Sequence, residues 1–108
     1  MKADLNLAFI KSLTLKMKPV GYDSKGKIVF EPNPEGKAYI VYDSSKSAPP
    51  GFGIRVAGKK TYIIRRKIHG KSIMPNVGNF ADFSEIAVAR NKAAELALKI
   101  RETGLNPN

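Results

Sequence analysis

The sequence predicts an α+β domain: a three-stranded antiparallel β-meander, with residues 38–42 as a candidate fourth edge strand, packed on one C-terminal α-helix and preceded by a short N-terminal helix. Three observations support this class. Residues 52–77 hold three segments in which apolar side chains recur with a period near two, separated by turn residues. Ile86, Ala89, Ala93, Leu96, Ala97 and Ile100 recur at the spacing of one helical face. At 108 residues and 43% hydrophobic content, the chain is the size of one domain with one modest core.

Residues 4–15 (DLNLAFIKSLTL) place Leu5, Ala8, Phe9, Ser12 and Leu13 on one side of a short amphipathic helix, with Asp4 as candidate cap. From 16 to 37, Gly or Pro at 19, 21, 26, 32, 34 and 36 interrupts any long element, so residues 1–37 read as a short helix followed by a linker or a small hairpin around residues 24–27. Residues 38–42 (AYIVY) are β-branched and aromatic and end at the turn-forming Asp43-Ser44-Ser45. After Pro49-Pro50-Gly51, FGIRV reads as a half-buried strand and Ala57-Gly58-Lys59-Lys60 as a turn. The run from Thr61 to Ile68 meets His69-Gly70, whose glycine supplies the positive φ of a tight hairpin, and the chain returns from Lys71 to Val77.

Ser84 is the expected cap of the last helix, and Glu85 complements the positive end of its dipole. Lys99 and Arg101 suit the opposite end, and Gly104 stands where a left-handed cap is expected. The expected core is Phe52, Ile54, Val56, Tyr62, Ile64, Ile73 and Val77 against the helix stripe. The sheet-and-helix unit is expected to span residues 38–105, with 106–108 beginning a linker.

Nineteen Lys and Arg against nine Asp and Glu give a net charge of +10, which points to an anionic partner, nucleic acid or anionic membrane. No apolar run approaches the roughly 18 residues of a membrane span, so a soluble protein is expected. MKADLNLAFIKSL carries no cleavage pattern, so no signal peptide is read. The chain has no cysteine, which excludes a disulfide framework and a thiolate zinc site and is compatible with a reducing cytoplasm.

The charge is concentrated. Between Asp43 and Asp82 there is no acid, whereas Lys46, Arg55, Lys59, Lys60, Arg65, Arg66, Lys67 and Lys71 lie in that interval. If Tyr62 and Ile64 face the helix, alternation sends Thr61, Ile63, Arg65 and Lys67 to the other face, joined by Arg55 and by Ser72, Met74 and Asn76 of the third strand. A solubilising face has no use for Ile63 and Met74. The mixture suits a ribbon in a DNA major groove, where Arg bridges guanine O6 and N7, Asn pairs with adenine, and an apolar group meets a thymine methyl. In this reading Arg55, Arg65, Lys67, Ser72 and Asn76 approach bases, while Lys59, Lys60, His69 and Lys71 at the turns meet phosphates. Arg66 is expected on the helix side, its stem covering core.

Other chemistry finds little support. Gly70-Lys71-Ser72 resembles the end of a phosphate-binding loop, but Arg65 stands where that motif needs glycine. His69 is the sole histidine and has no metal-binding companion, and no serine is placed beside a base. Neither a catalytic residue, a metal nor a cofactor is expected.

The order Tyr42-Asp43-Ser44, Gly53-Ile54-Arg55-Val56, Tyr62 to Lys67, His69-Gly70-Lys71, Val77-Gly78, Ser84 with Ala89-Arg90, and Gly104-Leu105-Asn106-Pro107 resembles the N-terminal arm-type DNA-binding domain of phage and genomic-island integrases, members of the tyrosine recombinase family. The resemblance covers roughly residues 38–108 and departs at Glu85-Ile86, where the family often has Leu, and in a longer segment at 16–37. It implies a three-stranded sheet docked in the major groove of arm-type sites, with the helix behind it. It also implies a parent recombinase whose catalytic region, with its Arg-His-Arg set and tyrosine nucleophile, follows the Gly-x-x-Pro, so that this chain binds and does not cut. The partners implied are double-stranded DNA, other integrase protomers and accessory DNA-bending proteins, in the bacterial cytoplasm at the nucleoid. Two other readings stay open: an RNA-binding module, for which Tyr62 would be the stacking residue, and a protein-interaction domain using Ile63 and Met74.

Overall fold

The computed structural model describes residues 1–104. In chain order its elements are β1 (Lys2–Ala3), α1 (Leu7–Ser12), β2 (Met17–Tyr22), β3 (Ile28–Pro32), β4 (Tyr39–Asp43), β5 (Phe52–Val56), β6 (Lys60–Ile64), β7 (Arg66–Ile68), β8 (Lys71–Ile73), β9 (Asn76–Asn79), a 3-10 turn (Phe80–Asp82) and α2 (Ile86–Thr103). Leu105 to Pro107 of the Gly-x-x-Pro motif, and the expected linker at 106–108, lie outside the described residues.

The α+β class holds, but the three-stranded meander is part of something larger. The main sheet has five strands in the order β1-β4-β5-β6-β9, and β2-β3 and β7-β8 form separate two-stranded ribbons. Strand β4, expected at the edge, is interior because β1 runs parallel alongside it, with Lys2 beside Tyr42 and Ala3 beside Asp43. Tyr42 N–H donates to Met1 O and Ser44 N–H to Ala3 O, both at 2.9 Å. A two-residue strand has no periodicity to betray it; its register rests on these backbone bonds.

The expected third strand is divided. Pro75 has no N–H to give to a ladder, and its carbonyl accepts from Ile64 N–H at 3.2 Å as pairing with β6 resumes. Arg65 N–H turns instead to Gly51 O at 2.9 Å. The chain therefore leaves the sheet after Ile64, makes the β7-β8 ribbon, and rejoins at Asn76. Residues 16–37 form the β2-β3 hairpin, closed by Asp23, whose Oδ1 accepts from Lys25 and Lys27 N–H at 2.8 and 2.9 Å.

One core joins these parts. Val41, Phe52, Ile54, Val56, Tyr62, Ile64 and Val77 pack with Ala89 and Ala93 of α2 and with Ala3, Leu5, Ile10 and Leu13 from the N-terminal segment. Ile73, expected in this core, is half-buried on the ribbon. Tyr62 stacks on Phe52 at 5.5 Å between ring centroids and meets Phe83 edge-on at 5.6 Å. Its hydroxyl is buried without a hydrogen-bond partner among the described residues.

Two caps differ from expectation. Asn6, not Asp4, caps α1, its Oδ1 accepting from Phe9 N–H at 2.9 Å. Helix α2 begins at Ile86 after Glu85, with no side-chain cap, so Ser84 lies outside it. Gly104 ends the helix in the left-handed conformation at φ 66, as its position predicted.

Asp43 links sheet, helix and N-terminal segment. Its Oδ2 accepts from Arg90 Nε at 2.8 Å, and its Oδ1 accepts from Leu5 and Ser45 N–H at 3.3 and 3.0 Å. Arg90 also donates to Leu5 O at 3.1 Å. The Asp43 side chain is 0% exposed and that of Arg90 13%. Removing one partner from such a pair leaves an uncompensated buried charge. Arg90→Ala is expected to lower the unfolding free energy in urea by about 3–5 kcal/mol, whereas Asp4→Asn, at an exposed carboxylate 3.7 Å from Arg90, should change it by less than about 1 kcal/mol.

Burial pushes the Tyr62 hydroxyl up from 10.0 to about 12, with nearby Arg90 and Asp43 acting in opposite directions. A phenol more acidic in the unfolded chain than in the fold stabilises the fold less once it can ionise there, so this contribution is lost as pH rises from 10 towards 12. Tyr62→Phe removes an unpaired buried hydroxyl, and its unfolding free energy should equal or exceed that of the parent. Its advantage should widen between pH 10 and 12 in parallel denaturant titrations.

Candidate nucleic-acid interface

Register assigns the face of the main sheet opposite α2, because side chains of directly paired residues share a face. One row runs Ile40, Arg55, Thr61, Asn79 across β4, β5, β6 and β9. The next runs Lys2, Tyr42, Gly53, Ile63, Asn76 across all five strands. A register shift between Tyr62 and Ile63, opposite Val77, keeps both Asn76 and Asn79 on this face.

Gly53 is required where it stands. A Cβ there would lie 2.7 Å from Val41 O and 3.3 Å from Tyr42 Cδ1, so the Tyr42 ring rests against the glycine. Ile63, beyond Gly53 in the same row, is 1% exposed, although it lies on the outer side of the sheet. It is thus not part of the accessible surface that alternation alone would give it.

The β7-β8 ribbon extends this face. Lys67 pairs with Ser72, Arg66 with Ile73 and Ile68 with Lys71. His69 and Gly70, at φ 51 and 80, make the two-residue turn with positive φ at both positions that matches strand twist. Arg65 Nη2 donates to Ser72 Oγ at 3.4 Å, which sets Arg65 beside Lys67 and Ser72. Arg65, Lys67, His69, Lys71, Ser72 and Met74 are all exposed, and so are Arg55 and Lys59. Arg66 lies on the helix side, half-buried, as expected.

Lys60 behaves differently from its neighbours. The β5-β6 loop is shorter than expected, Lys60 pairs with Val56, and its Nζ donates to Lys11 O at 3.1 Å, near the C-terminal end of α1. Burial lowers its pKa below the ordinary lysine value. Thr61 is half-buried between Arg55 and Asn79.

The surface is strongly positive. Among the described residues the ion pairs are Lys37 with Glu35 and Arg90 with Asp43 and Asp4, so Arg55, Lys59, Arg65, Lys67 and Lys71 have no carboxylate partner there. Among the same residues no group of three or more His, Cys, Asp or Glu could hold a metal ion, and no helix is long and apolar enough to cross a membrane. Sequence reasoning missed Lys2, Ile40, Tyr42 and Asn79. Alternation about an inward Val41 would have found Ile40 and Tyr42 on the opposite face, and Gly78 inside a strand signalled the bulge that turns Asn79 outward; nothing in the sequence marks Lys2.

A family model described as an arm DNA-binding domain matches residues 10–108. No curated protein and no solved structure matches the chain.

The ribbon's attachment can be tested without touching a basic side chain. Gly51 has φ 87, and a Cβ on it would collide with the Arg65 carbonyl oxygen. Gly51→Ala should therefore destabilise by more than about 1 kcal/mol. Gly58→Ala, where nothing lies within 4 Å and no positive φ is needed, should be neutral or stabilising by up to about 1 kcal/mol in thermal denaturation.

Proposed function

We propose that this chain, a member of the arm DNA-binding domain family found in integrases, reads duplex DNA with the outer face of its sheet and with the β7-β8 ribbon in the major groove. Family membership makes DNA the partner and the domain itself non-catalytic. The observation that carries the reading is the ribbon: Arg65, Lys67 and Ser72 share one exposed face, with no carboxylate partner among the described residues. A two-stranded ribbon fits a major groove about 12 Å wide. Arg65, Lys67, Ser72 and Asn76 approach base edges, with Met74 as the apolar contact, and Arg55 lies behind them. Lys59, Lys71 and His69, at turns, contact phosphates and set register.

In this reading the domain directs a tyrosine recombinase of a phage or other mobile element to arm-type sites in the bacterial cytoplasm. There it works beside other protomers and accessory DNA-bending proteins during integration and recombination.

Neutralising about five phosphates should make log affinity fall with log salt at a slope of roughly −4 to −5; a salt-independent interaction would sink the reading. In sites selected from random duplexes, Arg65→Ala should lose discrimination at one position by about 1–3 kcal/mol. Lys59→Ala should weaken all duplexes alike. Competition with single-stranded RNA in the same assay separates duplex reading from RNA binding.

A further inference from the structure

A cleft of about 620 Å³ lies on the flank of the sheet, between its β1 edge and the ribbon, bounded by Lys2, Tyr42, the 44–51 loop, Arg65, Arg66 and Lys67. We propose that this cleft is a second DNA contact that clamps backbone phosphates beside the groove. The inference rests on the duplex-reading function proposed above.

Charge is the first argument. Four cations reach the cleft from two separate segments, Lys2 at the β1 edge and Arg65 to Lys67 at the base of the ribbon, and the side chain of the one acid in its wall, Asp43, is 0% exposed and already bonded to Arg90, Leu5 and Ser45. The cleft therefore presents cations, together with the hydroxyls of Ser44 and Tyr42, and no available carboxylate. With Arg65 and Lys67 aimed at base edges, Lys2, Arg66 and these hydroxyls are left for a phosphodiester, a contact that carries no base information.

Width is the second. Five strands at about 4.8 Å spacing put β1 about 19 Å from β9, more than the roughly 12 Å width of a major groove. When β6, β9 and the ribbon enter the groove, the β1 edge must overhang the phosphates that flank it. Lys2 stands at that edge, in the same outward row as Tyr42, Ile63 and Asn76. Its position depends on the parallel pairing of β1 with β4.

The test compares the full chain with Lys2→Gln, a surface change that leaves the backbone bonds of β1 intact. Fluorescence anisotropy on a selected duplex and on a scrambled one, across a range of salt, gives affinity and slope. Lys2→Gln should weaken both duplexes by the same factor, make the salt slope shallower by about 0.9, and leave the ratio between duplexes unchanged. Lys25→Gln, at the tip of the β2-β3 hairpin, should leave the slope as in the parent. If the parent binds with a steep slope and Lys2→Gln keeps that slope, the cleft inference is overturned and the groove reading stands. If the parent itself shows no salt-dependent duplex binding, the groove reading falls and the inference with it. Saturable shifts of the Ser44 and Ser45 amides with inorganic phosphate, together with an unchanged slope in Lys2→Gln, would assign the cleft to free phosphate and reject the DNA clamp.

Discussion

Asp43 has no exposed side-chain surface, and each group that reaches it comes from a different part of the chain: the Arg90 guanidinium from α2, the Leu5 amide from the N-terminal segment and the Ser45 amide from the loop after β4. Burying a carboxylate costs several kcal/mol unless it is neutralised and hydrogen-bonded, and these three donors meet that condition together. The fold is therefore constrained at one point to hold helix, sheet and N-terminus in a single arrangement. The same contact orders the outer surface. It holds the β1 segment against β4, which turns Lys2 outward, and it withdraws the one acid in the flanking cleft from solvent.

The ribbon has the opposite character. The hydrophobic core includes no residue of β7 or β8, and the ribbon is attached through backbone bonds at its base, where Arg65 N–H leaves the ladder for Gly51 O and Ile64 N–H is met by Pro75 O. Proline removes a donor at that position, so the strand pair cannot continue as one sheet. The result is a projecting two-stranded element whose exposed side carries Arg65, Lys67 and Ser72, while its other side, with Arg66 and Ile73, is half-buried. Such an element can meet a partner without disturbing the packing of Phe52, Tyr62 and Phe83 beneath it. The charges are thus divided by role in the fold: Arg90 and Lys60 bond to acceptors within the chain, whereas Arg65 and Lys67 stand on the exposed side of the ribbon.

Much of this was legible in residue order. The stripe from Ile86 to Ile100, the strands around Ile54 and Tyr62, the tight turn at His69-Gly70 and the shared side of Arg65, Lys67 and Ser72 all follow from periods of 3.6 and 2 that backbone geometry imposes on neighbouring residues. The family likeness was legible too, since its motifs are local. Ile63 shows where this kind of reasoning stops. Alternation says which side of a sheet a residue lies on, but its exposure depends on what the neighbouring strands and loops place around it.

What remained hidden involves residues far apart in the chain. Lys2 beside Tyr42, Asp43 against Arg90, Lys60 reaching Lys11 and Arg65 bonding Gly51 are pairings over many intervening residues, made through backbone groups or single side chains that leave no periodic trace. Local order set the elements and their two-sidedness, because a strand or a helix sorts its own side chains. Only packing decided the number of strands, the course of the ribbon and which cations are held within the fold, because those depend on which distant groups satisfy one another once water is excluded.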